Sequence, residues 1–173
     1  MSKMMFAFVF LASAFVESAA FADTSEKESP PPKPPAFEAP KDWKVIDSGP
    51  LVSARFQIGE KDRIATVLVM ALPGNGGGLA ANVNRWRRQL KLDELSEEAV
   101  LKTLKAIKVD GVAAHSVDLS GRDRTDKASE RMLAVIVKHG ERTWFFKMTG
   151  PFGFVKEQVS PFEEFIKSVR FEK

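Results

Sequence analysis

The sequence predicts an α+β fold: a mainly antiparallel sheet with a helix pair and a C-terminal helix packed on it. Three observations carry this. Strand patterns at residues 51–58 and 64–72 follow one another, three more follow between 112 and 148, and helical patterns fall only between and after these groups. Strands that run together, with helices set apart from them, favour an antiparallel sheet covered by helices over a doubly wound parallel one.

The elements follow in order. Residues 43–46 and 51–58 are short strand candidates separated by the turn Asp47-Ser48-Gly49-Pro50. In the second, Ala54, Phe56 and Ile58 alternate with Arg55 and Gln57, the period of a half-buried strand. Glu60-Lys61-Asp62 turns the chain into the apolar run 64–72, which ends in the cluster Pro73-Gly74-Asn75-Gly76-Gly77-Gly78. Residues 79–90 then read as a helix, because Leu79, Val83, Trp86 and Leu90 share one face at helical spacing. Ser96 can cap a second helix with Glu97 and Glu98 in its first turn, where carboxylates suit the positive helix end.

Strands are expected at 112–119, 131–138 and 141–148, the last two joined through a tight hairpin at His139-Gly140. A charged loop, residues 120–127, separates the first two of them. Trp144, Phe145 and Phe146 place aromatics on both faces of one strand, as a central strand covered on both sides requires. Phe152, Val155, Val159, Phe162, Ile166 and Val169 form a helical stripe to the C terminus. Ser160-Pro161-Phe162-Glu163 reads as a restart within it: Ser at the N-cap, Pro first, Glu third.

This domain, residues 41–173, is preceded by two segments of other character. Residues 1–22 have the three parts of a secretory signal peptide: Lys3, the apolar stretch 4–16, and Ala20-Phe21-Ala22. The apolar stretch is short of the roughly 20 residues of a membrane span, so cleavage is expected to leave no stable span and a periplasmic or secreted product starting at Asp23. Residues 23–40 hold six of the ten prolines among Ser, Glu and Lys, the composition of a disordered linker or a proline-recognition segment. Cysteine is absent, which removes disulfide, thiolate and zinc-thiolate chemistry. A formal charge of +3 is too slight to demand nucleic acid or an anionic membrane.

The arrangement resembles the PsbP/DcrB-like α/β/α sandwich family. The residues that carry the likeness are Trp43, the Phe56 strand, the helix with Asn82 and Trp86, Thr149-Gly150-Pro151 before the terminal helix, and the ending Phe165-Ile166-Lys167-Ser168-Val169-Arg170-Phe171. Within it the pattern is most similar to small exported bacterial proteins of unknown function that share the Gly-rich and Asn-Arg-Trp segments. The resemblance implies a fold and a tendency toward extracytoplasmic binding or assembly. It supplies no catalytic residue and no cofactor.

One stretch has residue types suited to a specific task. Glycine loops that open into helices can present free N–H groups to an anion, and Gly76, Gly77 and Gly78 are placed so, with Asn82, Arg85 and Arg88 on the helix that follows. These six are the candidate ligand-binding residues. The competing reading is that the glycines serve only a sharp turn. The loop lacks the Gly-Lys-Ser/Thr of a phosphate-binding P-loop, and no parallel crossover follows it. Trp86 faces inward, so the helix does not offer the exposed aromatics that single-stranded nucleic acid needs. His115 and His139 have no acidic partner at ligand spacing, so no metal site is expected.

Two functions remain. The first is a noncatalytic exported domain that binds a protein partner or small anion at the loop and the arginine helix. The alternative is an extracytoplasmic hydrolase-like enzyme with a polar cleft formed by Asn82, Arg85, His115 and Asp118.

Overall fold

The computed structural model describes residues 33–49, 52–122 and 128–172. The expected signal peptide, most of the linker and the centre of the charged loop lie outside these residues. The strands are β1 (Lys44–Val45), β2 (Val52–Ile58), β3 (Ala65–Pro73), β4 (Lys105–Val109), β5 (Val112–Arg122), β6 (Ala128–His139) and β7 (Arg142–Pro151). They form one sheet in the order β1-β2-β3-β7-β6-β5-β4, antiparallel at every pairing. Helices α1 (Leu79–Gln89) and α2 (Glu97–Thr103) follow β3, and α3 (Phe152–Glu157) and α4 (Val159–Ser168) end the chain.

Side chains alternate across a strand, so β3, β5, β6 and β7 each feed two separate cores. Phe56, Val67, Val69, Leu133, Val135, Trp144, Phe146 and Met148 pack with Val155, Phe162, Phe165 and Ile166 of α3 and α4. The intervening residues Val117, Met132, Ala134, Ile136 and Phe145 pack with Val83, Trp86 and Leu90 of α1 and Val100 of α2. β7 is the fourth of seven strands, and its aromatics divide as expected: Trp144 and Phe146 to one face, Phe145 to the other. Phe145 meets Trp86 edge to face at 6.1 Å, a preferred aromatic geometry.

Three sequence expectations change. First, β4 is a strand that the apolar pattern does not announce, because exposed Lys105 and Lys108 dilute it at the sheet edge, where lysines discourage further pairing. Its signal is Asp110-Gly111, with φ of 50° and 78°, the two positive values of a type I′ hairpin turn. Second, the break expected near Ser160 falls at Gln158, and Gln158 instead of Ser160 is the N-cap of the last helix. Pro161 is the third residue of α4, where the backbone N–H has no helical partner to lose. The first α4 bond is donated by the Phe162 amide to the Gln158 carbonyl at 3.0 Å.

Third, described residues on the N-terminal side of Lys41, within the expected linker, pack on the domain. Ala36 and Arg170 exchange backbone hydrogen bonds of 2.9 and 2.8 Å, and the Glu38 amide donates to Ser168 Oγ at 2.9 Å. Phe37 lies 5.2 Å from Phe165 and 6.1 Å from Phe56, ring centre to ring centre. An apolar ring at the end of a proline-rich stretch is the residue that ties this segment down, since burying it removes apolar surface from water.

Candidate functional site

The β3–α1 connection is closed by its own hydrogen bonds. The Gly74 amide donates to the Glu141 carbonyl at 2.8 Å, and the Gly74 carbonyl accepts from Lys138 Nζ and Thr143 Oγ1, both at 2.9 Å. The Gly76 amide donates to Pro73 O, the Gly78 amide to Asn75 O, and the Gly77 amide to Asn75 Oδ1, each at 3.1 Å. The three amides expected to face an anion are thus donated inside the loop. The glycines answer to turn geometry, with φ of 61°, 86° and 86°, values that glycine adopts without steric penalty.

Asn82 holds this turn from within α1. It is 3 % exposed, and its Nδ2 donates to the Gly76 and Gly78 carbonyls at 2.8 and 2.7 Å. A buried amide in that position gives the Gly76 carbonyl a partner and adds a second donor to the Gly78 carbonyl, which also accepts from the Asn82 backbone amide at 3.2 Å. Its Oδ1 accepts from Arg85 Nη1 at 3.0 Å, so Arg85 is oriented by the loop without being neutralised. Arg88 differs: it forms an ion pair with Glu94 in the loop after α1. Arg87 Nε donates to the Asp93 carbonyl at 2.6 Å. The six candidates therefore divide into framework (the glycines and Asn82), a paired arginine, and one arginine still directed outward.

Sequence reasoning missed the neighbour that gives Arg85 its context. Lys147 of β7 lies on the α1 face of the sheet, half-buried, with its Nζ 3.5 Å from Gln89 Oε1. Burial, and then the positive charge of Arg85, hold its ammonium pKa below the ordinary lysine value. Arg55 shares the row, since Arg55 pairs with Leu68 and Leu68 with Lys147. That sets Arg55 and Lys147 two strand spacings apart, about 10 Å between Cα atoms. Among the described residues none of the three forms an ion pair with a carboxylate. Lys147 was legible as the one charged residue in the run 144–148, a break in pattern between Phe146 and Met148.

The depressed Lys147 value fixes the sign of a stability effect. Between its folded and unfolded pKa values the unfolded chain holds more protons, so this group makes stability rise with pH across that alkaline window. At neutral pH the charged ammonium opposes folding. Lys147→Met should therefore stabilise the protein at pH 7, by on the order of 0.5–1 kcal/mol, with the advantage shrinking as the pH climbs toward the ordinary lysine range. Chemical denaturation of both proteins at several pH values checks it. A gap that widens with pH would contradict the assignment.

The cleft expected for an enzyme does not form. His115 and Asp118 are three apart on β5, so they point to opposite faces of the sheet. Asp118 sits opposite Leu133 on the α4 side and accepts from Arg131 Nε at 2.9 Å, while that guanidinium also covers the Phe152 ring at 5.6 Å. Asn82 and Arg85 belong to the other side. A groove of about 450 Å³ on the α4 side has a floor of Ile107, Leu133, Val135, Phe162 and Ile166. Of the two carboxylates in its lining, Asp118 and Glu163, Asp118 is occupied by Arg131.

Seven antiparallel strands between two helical layers give this chain the PsbP-like fold, an α/β/α sandwich. The solution structure of cyanobacterial PsbP (CyanoP) from Synechocystis sp. PCC 6803 is similar at a TM-score of 0.51 and 15% identity, covering 80% of this chain and 93% of that one. The crystal structure of LpqN, involved in cell envelope biogenesis of Mycobacterium tuberculosis, is similar at 0.51 and 12% identity, covering 84% and 88%. A Bacteroides thetaiotaomicron structure reaches 0.47 at 14% identity, and this chain spans only 44% of its length. No protein-family model matches the sequence, and no curated protein sequence does. Among the described residues, no helix is long and apolar enough to cross a membrane.

Proposed function

We propose that this chain is an exported, noncatalytic binding domain that takes an acidic protein partner or a small anion on the α1 side of its sheet. The observation that carries the reading is that, among the described residues, Arg85 and Lys147 on the α1 side form no ion pair with a carboxylate, Arg85 being held by the Asn82 Oδ1 at 3.0 Å. Two cations brought together on a half-buried surface oppose folding, and an arrangement of that kind is common where a ligand supplies the missing charge. The PsbP-like fold and the involvement of the similar LpqN in cell envelope biogenesis support an extracytoplasmic setting. So does the signal-peptide pattern of residues 1–22.

Affinity capture from an extracytoplasmic extract tests this, with the wild-type chain and an Arg85→Ala, Arg88→Ala double variant as baits. The wild type should retain a partner or an anion that the double variant loses. Equal recovery and equal anion affinity for the two baits would sink the reading.

A further inference from the structure

We propose that the groove on the α1 face between β2 and β7 is a seat for a dianionic oxyanion group, of the phosphate-monoester type, held by Arg55, Arg85 and Lys147. This rests on the binding-domain reading and gives its ligand a chemistry and a place.

Four observations converge. The groove has a volume of about 360 Å³ and is lined by Arg55, Thr66, Leu68, Glu130, Lys147 and Thr149 among others, a size suited to a small ligand. Its lining cations come from two different strands, Arg55 from β2 and Lys147 from β7, and Arg85 of α1 stands at the rim, one helical turn before the lining residue Gln89. Thr149 Oγ1 is buried without a hydrogen-bond partner at the same groove, and a buried polar atom in that state calls for a partner. Finally, the lining holds two cations, Arg55 and Lys147, against one carboxylate, Glu130; Arg85, outside the lining but close enough for its charge to act on Lys147, brings the balance to two positive charges. A monocarboxylate would leave one of these unmatched. A dianion matches both, and its oxygens can accept from guanidinium, ammonium and hydroxyl donors together.

Thr149 sharpens the geometry. It lies two residues from Lys147 on the same face of β7, and it pairs across with Thr66 of β3. An oxyanion resting over this pair of rows would receive hydroxyls from below and cations from either side. The apolar floor at Leu68 limits competing water.

The test is a titration of the isotopically labelled full chain with sodium phosphate at constant ionic strength, followed by NMR. Saturable shifts should cluster at Arg55, Thr66, Lys147 and Thr149, and the Lys147 ammonium titration midpoint should rise as phosphate binds. Affinity should fall about tenfold or more in Lys147→Met and in Arg55→Ala, the loss expected from one charge-assisted hydrogen bond. Lys167→Ala, which removes a cation from the opposite face, should bind like the wild type. A parallel arm uses phosphatidylcholine vesicles with and without phosphatidate. Lys147-dependent binding of free phosphate places the group on a soluble ligand, and Lys147-dependent sedimentation with phosphatidate vesicles alone places it on a lipid. Either supports the seat.

The seat is overturned if neither probe shifts these residues, or if Lys147→Met and Lys167→Ala behave alike. Capture that stays Arg85-dependent under those results would leave the binding-domain reading standing. Loss of both would end both.

Discussion

Phe165→Ala should cost about 3–5 kcal/mol, the range for truncating a fully buried phenylalanine. Phe165 is 1 % exposed and its ring lies 5.2 Å from Phe37, 5.1 Å from Trp43, 6.1 Å from Phe56 and 6.1 Å from Phe146. Those four rings come from the N-terminal segment, the approach to β1, β2 and β7. Removing the hub leaves a cavity bounded by rigid aromatics, which relax poorly into the space, so the loss falls toward the upper end. It also takes away the contact that anchors Phe37. Denaturant unfolding should show the drop in stability, and thermal unfolding a fall of about 10 °C or more. Hydrogen exchange should show the Ala36 amide losing protection before the β6–β7 core does. A drop under 1 kcal/mol would mean that these rings share burial without depending on Phe165.

How far such features were legible depends on whether their cause is local. The β2 alternation, the α1 stripe and the Ser96 cap depend on neighbours within a turn or two. They are found where expected, with Ser96 Oγ accepting from the Ala99 amide at 3.3 Å. Phe165 was legible as apolar, but its role as a hub was not, because its partners are up to 128 residues away at Phe37. The anchoring of Ala36 fails to show in sequence for the same reason: its partner, Arg170, is at the other end of the chain. The candidate site divides along this line too. Asn82 bonding to nearby backbone was readable from its place beside the core stripe. The Arg55–Leu68–Lys147 row was not, since it exists only through the register of three strands distant in sequence. Likewise, His115 and Asp118 look adjacent along the chain, yet strand parity alone separates them.

Gly76→Ala should destabilise the protein by about 2–4 kcal/mol, much more than Gly74→Ala in the same loop. Both glycines have positive φ, 61° and 58°, so an alanine at either incurs the left-handed penalty of about 1–2 kcal/mol. Only Gly76 adds a steric term. A Cβ there would stand 2.7 Å from Phe145 Cζ and 2.9 Å from Thr143 Cβ, whereas one on Gly74 would meet nothing within 4 Å. Phe145 is held against Trp86 and cannot withdraw without disturbing the α1 core, and overpacking of this kind costs about 1–3 kcal/mol. The chain must then shift the Gly76 carbonyl, which accepts from Asn82, and through Asn82 the guanidinium of Arg85. Denaturant unfolding of the two variants measures the difference directly. If glycine served here to let a ligand approach the backbone, the open position at Gly74 would be the sensitive one for binding and the two stabilities would agree. If packing decides, Gly76→Ala loses stability, and Gly74→Ala keeps its phosphate affinity while losing only the cost of its backbone angle.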